Sequence, residues 1–376
     1  VKILLIPDKF KGSLNAKGVT AAIRKGIKTV YRDAETISVL ASDGGDGFLN
    51  AVSENKTCNE IFKTTVDSLG RKIRGSYLLN TTEKKAYIEL AKASGLELLK
   101  DKERSAMRTT TLGTGMQVKD AVKRGAKEIY IGLGGSATND AGIGIAQALG
   151  YSFLDSEGVV LQPIGANLRY IDKIELPQNL AQLKSVSFFA VNDVDNPLFG
   201  SSGASRTYAK QKGADEQEIV ALDSGLKHLS EVVHRQFNID AAQIPGAGAA
   251  GGTAYGLKVF LGAEFLSGID FVFDLSKVET LLGNQKFDYI ITGEGKFDDQ
   301  TLHGKLIKGV IDLGARFDVP VVVVCGKSEV AGVALEKLRL EAVLEIADKT
   351  KSLEYNMKYA PDLIETRVSE FFISRS

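Results

Sequence analysis

The chain has 376 residues, a length that suits two or three domains, and its 44% hydrophobic and 25% charged content is that of a globular protein. Lys+Arg and Asp+Glu number 47 each, which argues against a general nucleic-acid surface, since that needs a basic excess. Cys58 and Cys325 are too few and too far apart for a disulfide framework or zinc site, and no apolar run approaches the roughly 18 residues of a membrane span, so a reducing cytoplasm is expected.

In chain order, Lys2–Ile6 reads as a buried strand and residues 16–30 as a helix with Ala22, Ile23 and Ile27 on its apolar side. Residues 36–41 form a second strand, completing a βαβ unit. Residues 61–66, and then 76–79 with 85–90 around a turn at 81–83, read as antiparallel strands. Ile129–Ile131 is a strand running into a glycine turn, a hydroxyl-rich helix start and an apolar helix. Residues 187–191 form a strand, 215–234 a long helix, and 246–252 a glycine-rich run before another helix. The C-terminal part alternates strand 288–292, helix 304–316, strand 320–325, helix 329–338, strand 342–346 and helix 361–373. Alternation of this kind implies a parallel sheet covered on both faces. The expected fold is α/β: a flavodoxin-like doubly wound parallel-sheet domain, residues 1–65 plus 284–376, with a second α/β domain, residues 66–283, inserted between its halves.

Candidate chemistry collects at predicted strand ends. In an open parallel sheet, ligands bind outside the carboxyl ends of the strands, where strand order reverses. Asp8, Lys9, Lys11 and Ser13 follow the first strand, so Asp8 stands where active-site acids stand and the lysines and hydroxyl suit an anion. Asp43 lies in the loop Ser42-Asp-Gly-Gly-Asp-Gly47 after the second strand, a polar-ligand or metal loop too short for an EF-hand. Gly134, Gly135, Ser136, Thr138 and Asn139 combine bare glycine backbone with four hydroxyl, amide or carboxyl side chains through Asp140. At a helix start, that pattern suits a phosphate or carboxylate. Asp193 and Asp195, two apart after the strand 187–191, suit a base plus a Mg²⁺ ligand. Lys210 or Lys212 would serve as a mobile phosphate clamp. Gly246, Gly248 and Gly251 have GxGxxG spacing but no good preceding strand, so they read as a second phosphate-approaching loop, not a nicotinamide site. Glu294, Lys296, Asp298, Thr301, His303 and Lys305 cluster after the strand 288–292.

Backbone donors, cations and acids at strand ends are the parts that phosphoryl transfer needs, and two domains would allow closure against water. From the residues alone, the expectation is a nucleotide-dependent kinase of a small anionic substrate.

The stretches IPDKFKGSL, SDGGDG, GLGGSATNDAGIGIAQALG, VNDVDNPLFG, QKGAD, GAGAAGG, LGAEFLSGIDFV, ITGEGKFDDQTLHGK and VPVVVVCG, in this order, resemble the bacterial type I glycerate kinase family over essentially the whole length. The resemblance implies ATP-dependent phosphorylation of D-glycerate, a Mg²⁺ requirement and 2-phosphoglycerate in preference to 3-phosphoglycerate, in an interdomain cleft. Four positions depart from the family pattern: Lys9 replaces Ser, Asp46 and Phe48 of DGGDGF replace Glu and Thr of DGGEGT, and Lys296 replaces Arg in GEGRxD. Lys lacks the guanidinium fork, so a bidentate grip on a carboxylate is lost at position 296. The expected roles follow. Asp193 is the base or orienter of the acceptor hydroxyl, with Asp8 second. Lys11 and Lys296 hold the glycerate carboxylate or the transferring phosphoryl. Residues 134–139 and 246–252 cradle ATP phosphates, with Ser13, Lys212, Glu294 and Asp298 in the binding set, and Asp195 or Asp43 holds Mg²⁺. No nucleic acid or membrane partner is expected, and a homodimer is left open. The alternatives are a kinase of another small hydroxy acid, a non-catalytic metabolite-binding protein on the same scaffold, and a flavin-binding redox protein on the sheet topology alone.

Overall fold

The computed structural model describes residues 1–40, 45, 47–298, 306–329, 338 and 340–375. The chain divides into two compact units, one made of Val1–Ser42 with Gly268–Ser376 and one of Asp43–Ser267. The division falls at 42/43 and 267/268 rather than at 65/66 and 283/284. Residues 59–66 hydrogen-bond along the strand at 72–80 and so belong with the inserted unit, while the helices between 268 and 284 pack with the helix at 306–317.

In chain order the structure has β1 (Lys2–Pro7), α1 (Ala16–Val30), β2 (Glu35–Ser38), α2 (Phe48–Asn55), β3 (Asn59–Val66), β4 (Lys72–Asn80), β5 (Lys85–Glu89), α3 (Ala91–Ser94), α4 (Leu112–Lys123), β6 (Glu128–Gly132), α5 (Ile143–Ala148), β7 (Ser152–Leu154), β8 (Lys173–Glu175), α6 (Leu180–Lys184), β9 (Ser187–Val191), α7 (Ala204–Tyr208), α8 (Glu216–Phe237), α9 (Ala249–Leu261) and β10 (Glu264–Leu266). It continues with α10 (Gly268–Ser276), α11 (Val278–Asn284), β11 (Tyr289–Phe297), α12 (Leu306–Phe317), β12 (Val321–Ser328), β13 (Ala342–Glu345), α13 (Leu353–Lys358) and α14 (Ala360–Ile373). The sequence-expected helix at 329–338 lies mostly outside the described residues. No helix among the described residues is long and apolar enough to cross a membrane. Both cysteines are free.

The discontinuous unit is a five-stranded sheet in the order β13-β12-β11-β1-β2, parallel throughout. Counted by strands within that unit, this is the flavodoxin-like order, with its switch point between β1 and β11. The strands are apolar without alternation because both faces are covered: Ile3, Leu4, Leu5 and Ile6 are all fully buried. On one face, α1 lays Val19, Ile23 and Ile27 against Ile364, Val368 and Phe372 of α14. Asn15 caps α1, accepting from the N–H of Gly18 at 2.8 Å.

The inserted unit is a six-stranded mixed sheet, β10-β9-β6-β5-β4-β3. β3, β4 and β5 pair antiparallel, and β5, β6, β9 and β10 pair parallel, so four carboxyl ends lie along one edge. Tyr87, Tyr130 and Phe189 stack across β5, β6 and β9 with centroids 5.3 and 4.6 Å apart, fixing the register of the central pairs. A small β7–β8 hairpin, on which α8 packs, completes the unit.

Candidate active site

At the switch point of the discontinuous unit, the N–H of Asp8 donates to the carbonyl of Gly293 at 2.8 Å, continuing the β1–β11 ladder past Pro7. Asp8 is half-buried and its carboxylate accepts from the N–H of Lys9 at 2.7 Å. The loop carrying Phe10 and Lys11 lies against Gly295, whose missing side chain would come within 3.4 Å of the Lys11 nitrogen. Asp8, Lys11, Glu294, Lys296 and Asp298 are therefore gathered at adjacent strand ends. Lys296 is exposed and paired with Glu329 at 2.7 Å and Asp298 at 3.1 Å, and these two carboxylates hold its ammonium above the usual lysine range. Lys11 is exposed. Ser13 departs from its expected anion-holding role, because its hydroxyl donates to the carbonyl of Met357 at 2.5 Å. Asp43, Thr301, His303 and Lys305 lie outside the described residues.

In the inserted unit, the segment after β6 is not a helix start. The helix begins only at Ile143, behind Gly142, and runs six residues. Ser136, Thr138, Asn139 and Asp140 are instead buried in an irregular loop and turn their polar groups inward, where the Asn139 Oδ1 finds no hydrogen-bond partner among the described residues. Asp140 accepts from the N–H and hydroxyl of Thr111 at 2.7 and 2.8 Å, and from the N–H groups of Gly142 and Gly144. Burial raises its pKa against those bonds. Ser136 and Thr138 hydroxyls lie 3.1 Å apart, and the Asn139 amide donates to Ser205 at 3.1 Å.

The turn just before them is different. The N–H of Ala137 goes to Ser94 and that of Ser136 faces the Leu133 carbonyl across the turn, yet among the described residues the N–H groups of Gly134 and Gly135 find no acceptor. Gly135 has φ +72° and is exposed, so the backbone turns there and offers successive donors at the surface. Consecutive free N–H groups around a positive-φ residue form an anion-binding concavity. The donors that suit an anion are thus on this turn rather than at a helix end.

Lys212 is not a mobile clamp. It is 3% exposed, and its amine donates to the carbonyl of Thr138 at 2.7 Å and to Ser136 Oγ at 3.2 Å. Burial pushes it down to about 7, with Asp140 acting weakly in the other direction. Gly246, Gly248 and Gly251 also differ from the phosphate-loop expectation. A side chain at Gly251 would meet the Thr138 carbonyl at 2.1 Å, and one at Gly248 the Pro197 carbonyl at 2.3 Å. The Gly248 N–H is spent on Asn196 at 2.8 Å. These glycines let the 246–252 backbone pack directly on the loops after β6 and β9.

The β9 loop starts at the neighbouring strand end, since Gly132 pairs with Val191 and the N–H of Leu133 donates to Val191 at 3.1 Å. Asp193 is half-buried and Asp195 exposed. Asn196 accepts from the Tyr208 hydroxyl at 2.6 Å and donates to Ser202, so α7 braces this loop. Among the described residues, no three His, Cys, Asp or Glu gather as a metal cluster. Glu89 escaped sequence reasoning: it ends β5, is 2% exposed, and accepts from the N–H of Leu49 at 3.2 Å in the first turn of α2. An acid closing the apolar run Ala86–Ile88 was the available signal.

The sequence model of the Glycerate kinase family matches residues 3–374. The chain belongs to the glycerate kinase family. A glycerate 2-kinase of Escherichia coli (strain K12) is 37% identical over 365 residues, covering 97% of this chain and 95% of that one. A glycerate kinase of Bacillus cereus (strain ATCC 10987 / NRS 248) is 36% identical, with the same coverage. A crystal structure described as "putative glycerate kinase 2" from Salmonella typhimurium LT2 superposes with a TM-score of 0.83 at 33% identity, covering all of this chain and 98% of that one. Family membership over nearly the full length fits the resemblance carried by the strand-end motifs.

Proposed function

We propose that this protein transfers the γ-phosphoryl group of ATP to a hydroxyl of D-glycerate, forming 2-phosphoglycerate. Family membership supports the reaction class, and the name of the Escherichia coli relative supports the 2-hydroxyl. The observation that carries the mechanism is the pairing of neighbouring strand ends in the inserted unit. Two unpartnered backbone N–H groups, of Gly134 and Gly135, follow β6, and a half-buried aspartate follows β9. Phosphoryl transfer needs donors around the phosphate oxygens and an acid that orients the attacking hydroxyl and takes its proton.

In this reading the N–H groups of Gly134 and Gly135 hold phosphate oxygens. Asp193 accepts the proton of the glycerate hydroxyl as its oxygen bonds to phosphorus and the bond to the ADP oxygen breaks. Asp8, in the discontinuous unit, is the second candidate for that role. Lys11 and Lys296 suit the glycerate carboxylate, with Lys296 exchanging from Asp298 and Glu329 to the substrate, and Glu294 completes the polar lining of that strand end. Asp195 would hold Mg²⁺, which takes one or two carboxylates and fills its shell with phosphate oxygens and water. Held there, the ion would supply charge neutralisation to the transferring phosphoryl group. Two free cysteines suit a reducing cytoplasm.

Incubation of the purified protein with D-glycerate and Mg-ATP, followed by phosphorus NMR, tests the reading. A phosphomonoester split by a single proton identifies the 2-phosphate, and splitting by two protons identifies the 3-phosphate. Folded protein that consumes no ATP in response to glycerate refutes the assignment. The lysine at position 296 favours a second reading, a kinase tolerant of other hydroxy acids, because a point charge grips a carboxylate less selectively than a guanidinium fork. Comparable kcat/KM on glycerate, tartronate and lactate would establish it.

A further inference from the structure

Lys212 carries a buried amine with no ion-pair partner among the described residues. Among the described residues no carboxylate lies within ion-pair distance of its amine, and burying an unpaired charge is costly. The titratable groups around it are few. From the 134–142 segment only Asp140 acts on it, and that carboxyl is already bonded to Thr111, Gly142 and Gly144. Arg104 touches the next residue, Gly213, through its backbone and sends its guanidinium to Asp101 at 2.9 Å. On its own segment, Lys210 pairs with Glu216 and Tyr208 donates to Asn196.

The hydrogen-bond inventory points the same way. A neutral amine has two N–H donors, and the protein supplies two acceptors, the Thr138 carbonyl and Ser136 Oγ. Protonation adds a third N–H, for which no described residue supplies an acceptor. Ser136 joins the two arrangements: its hydroxyl takes the Lys212 amine, while its backbone ends the turn on which the Gly134 and Gly135 N–H groups stand unpartnered. An anionic group on that turn would therefore sit within a residue's width of the amine, in surroundings where charges interact strongly.

We propose that Lys212 is a proton-coupled counter-charge for the 134–136 anion seat, holding the turn as a neutral amine when the seat is empty and taking a proton from solvent when a phosphate group occupies it. This rests on the reading of that turn as the nucleotide phosphate site. Lys212 is a positioning residue, acting on the bound phosphate through Ser136 and through its field. Because the amine is held near 7 in the empty protein, the coupling operates in the neutral range.

The test is calorimetric titration of the full chain with a non-hydrolysable ATP analogue and Mg²⁺, in buffers of differing ionisation enthalpy, from pH 6 to pH 8. The expected result is proton uptake that is small at pH 6 and climbs to roughly half to one proton per site by pH 8. That uptake should vanish in Lys212→Met while the analogue still binds more weakly. Lys212→Arg, charged at every pH, should bind without uptake. Should Lys212→Met fail to fold, the pH dependence in the unmodified protein still decides. Analogue binding with no uptake at pH 8 overturns the inference and leaves the phosphate-site reading standing. Uptake that persists in folded Lys212→Met assigns the proton elsewhere and overturns it too. Absence of analogue binding to the unmodified protein overturns both.

Discussion

The two units put their strand ends to different use. In the discontinuous unit the loops at the switch point are half-buried or exposed, and their charged side chains satisfy one another. Lys296 lies between Asp298 and Glu329. In the inserted unit the corresponding loops are glycine-rich, buried and packed backbone on backbone, and they are pinned from behind by Lys212 and by Asn196 with Tyr208. Side chains that pair with each other can exchange partners at little cost, because exposed ion pairs contribute little. Backbone donors locked in a packed loop cannot move, and that is what preorganised stabilisation of a charged transition state requires. The comparison teaches that rigidity and adaptability are carried by different units: backbone locked by packing in one, charged side chains free to exchange partners in the other.

The largest expected effect tests whether the chemistry belongs to the rigid side. Asp193→Asn should lower kcat by about 10²–10⁴-fold, the usual worth of a positioned base, with an unchanged Tm. A comparable loss in Asp8→Asn, with Asp193→Asn near normal, would transfer the role to the other unit. Next, Gly251→Ala probes the backbone packing itself. Its Cβ would overlap the Thr138 carbonyl at 2.1 Å from a φ of +67°, so urea unfolding should show a loss of about 2–4 kcal/mol.

A third experiment reads Lys212 through stability. Its folded-state pKa, about 7, lies below its ordinary value of 10.5, so between those values the unfolded chain keeps a proton that the folded one has released. Stability should therefore rise with pH across that window, the single-group slope approaching about 1.4 kcal/mol per pH unit. Lys212→Met should flatten that part of the profile. The smallest effect belongs to Ser13. Ser13→Ala removes only the bond to Met357 and should cost about 0.5–1.5 kcal/mol of stability while leaving kcat and KM alone. A raised KM for glycerate would return Ser13 to the binding set.

Much of the fold was legible because apolar periodicity is strong where both faces of a parallel sheet are buried. β1, α1, β9, β12 and α14 fall within a few residues of their expected ranges. α4 was not legible, because Gly113 and Gly115, poor helix formers, are there to admit the Val66 carbonyl and the backbone of Ile145. The site was legible as a set of loops but not as roles. Ser136, Thr138 and Asn139 look the same in sequence whether they offer hydroxyls to a ligand or satisfy a buried loop, since both demand small polar side chains. Lys212 reads as a solvated basic residue until the fold turns it inward. The glycines at 246–252 carry the spacing of a phosphate loop for a different reason, which is the close approach of two stretches of the chain's own backbone.

The position of β1 has a consequence for synthesis. It is a central strand, pairing with β2 on one side and with β11 on the other, so Leu5 finds its partner Ile291 only after the whole Asp43–Ser267 stretch has been made. At ribosomal speeds that interval is roughly 10–45 s. Throughout it, the nascent chain carries an apolar strand with one open edge beside a contiguous unit that has every residue it needs to fold. The loops after β6 and β9 can therefore be packed before the five-stranded sheet is closed, and β1, made before the whole inserted unit, is covered only after it.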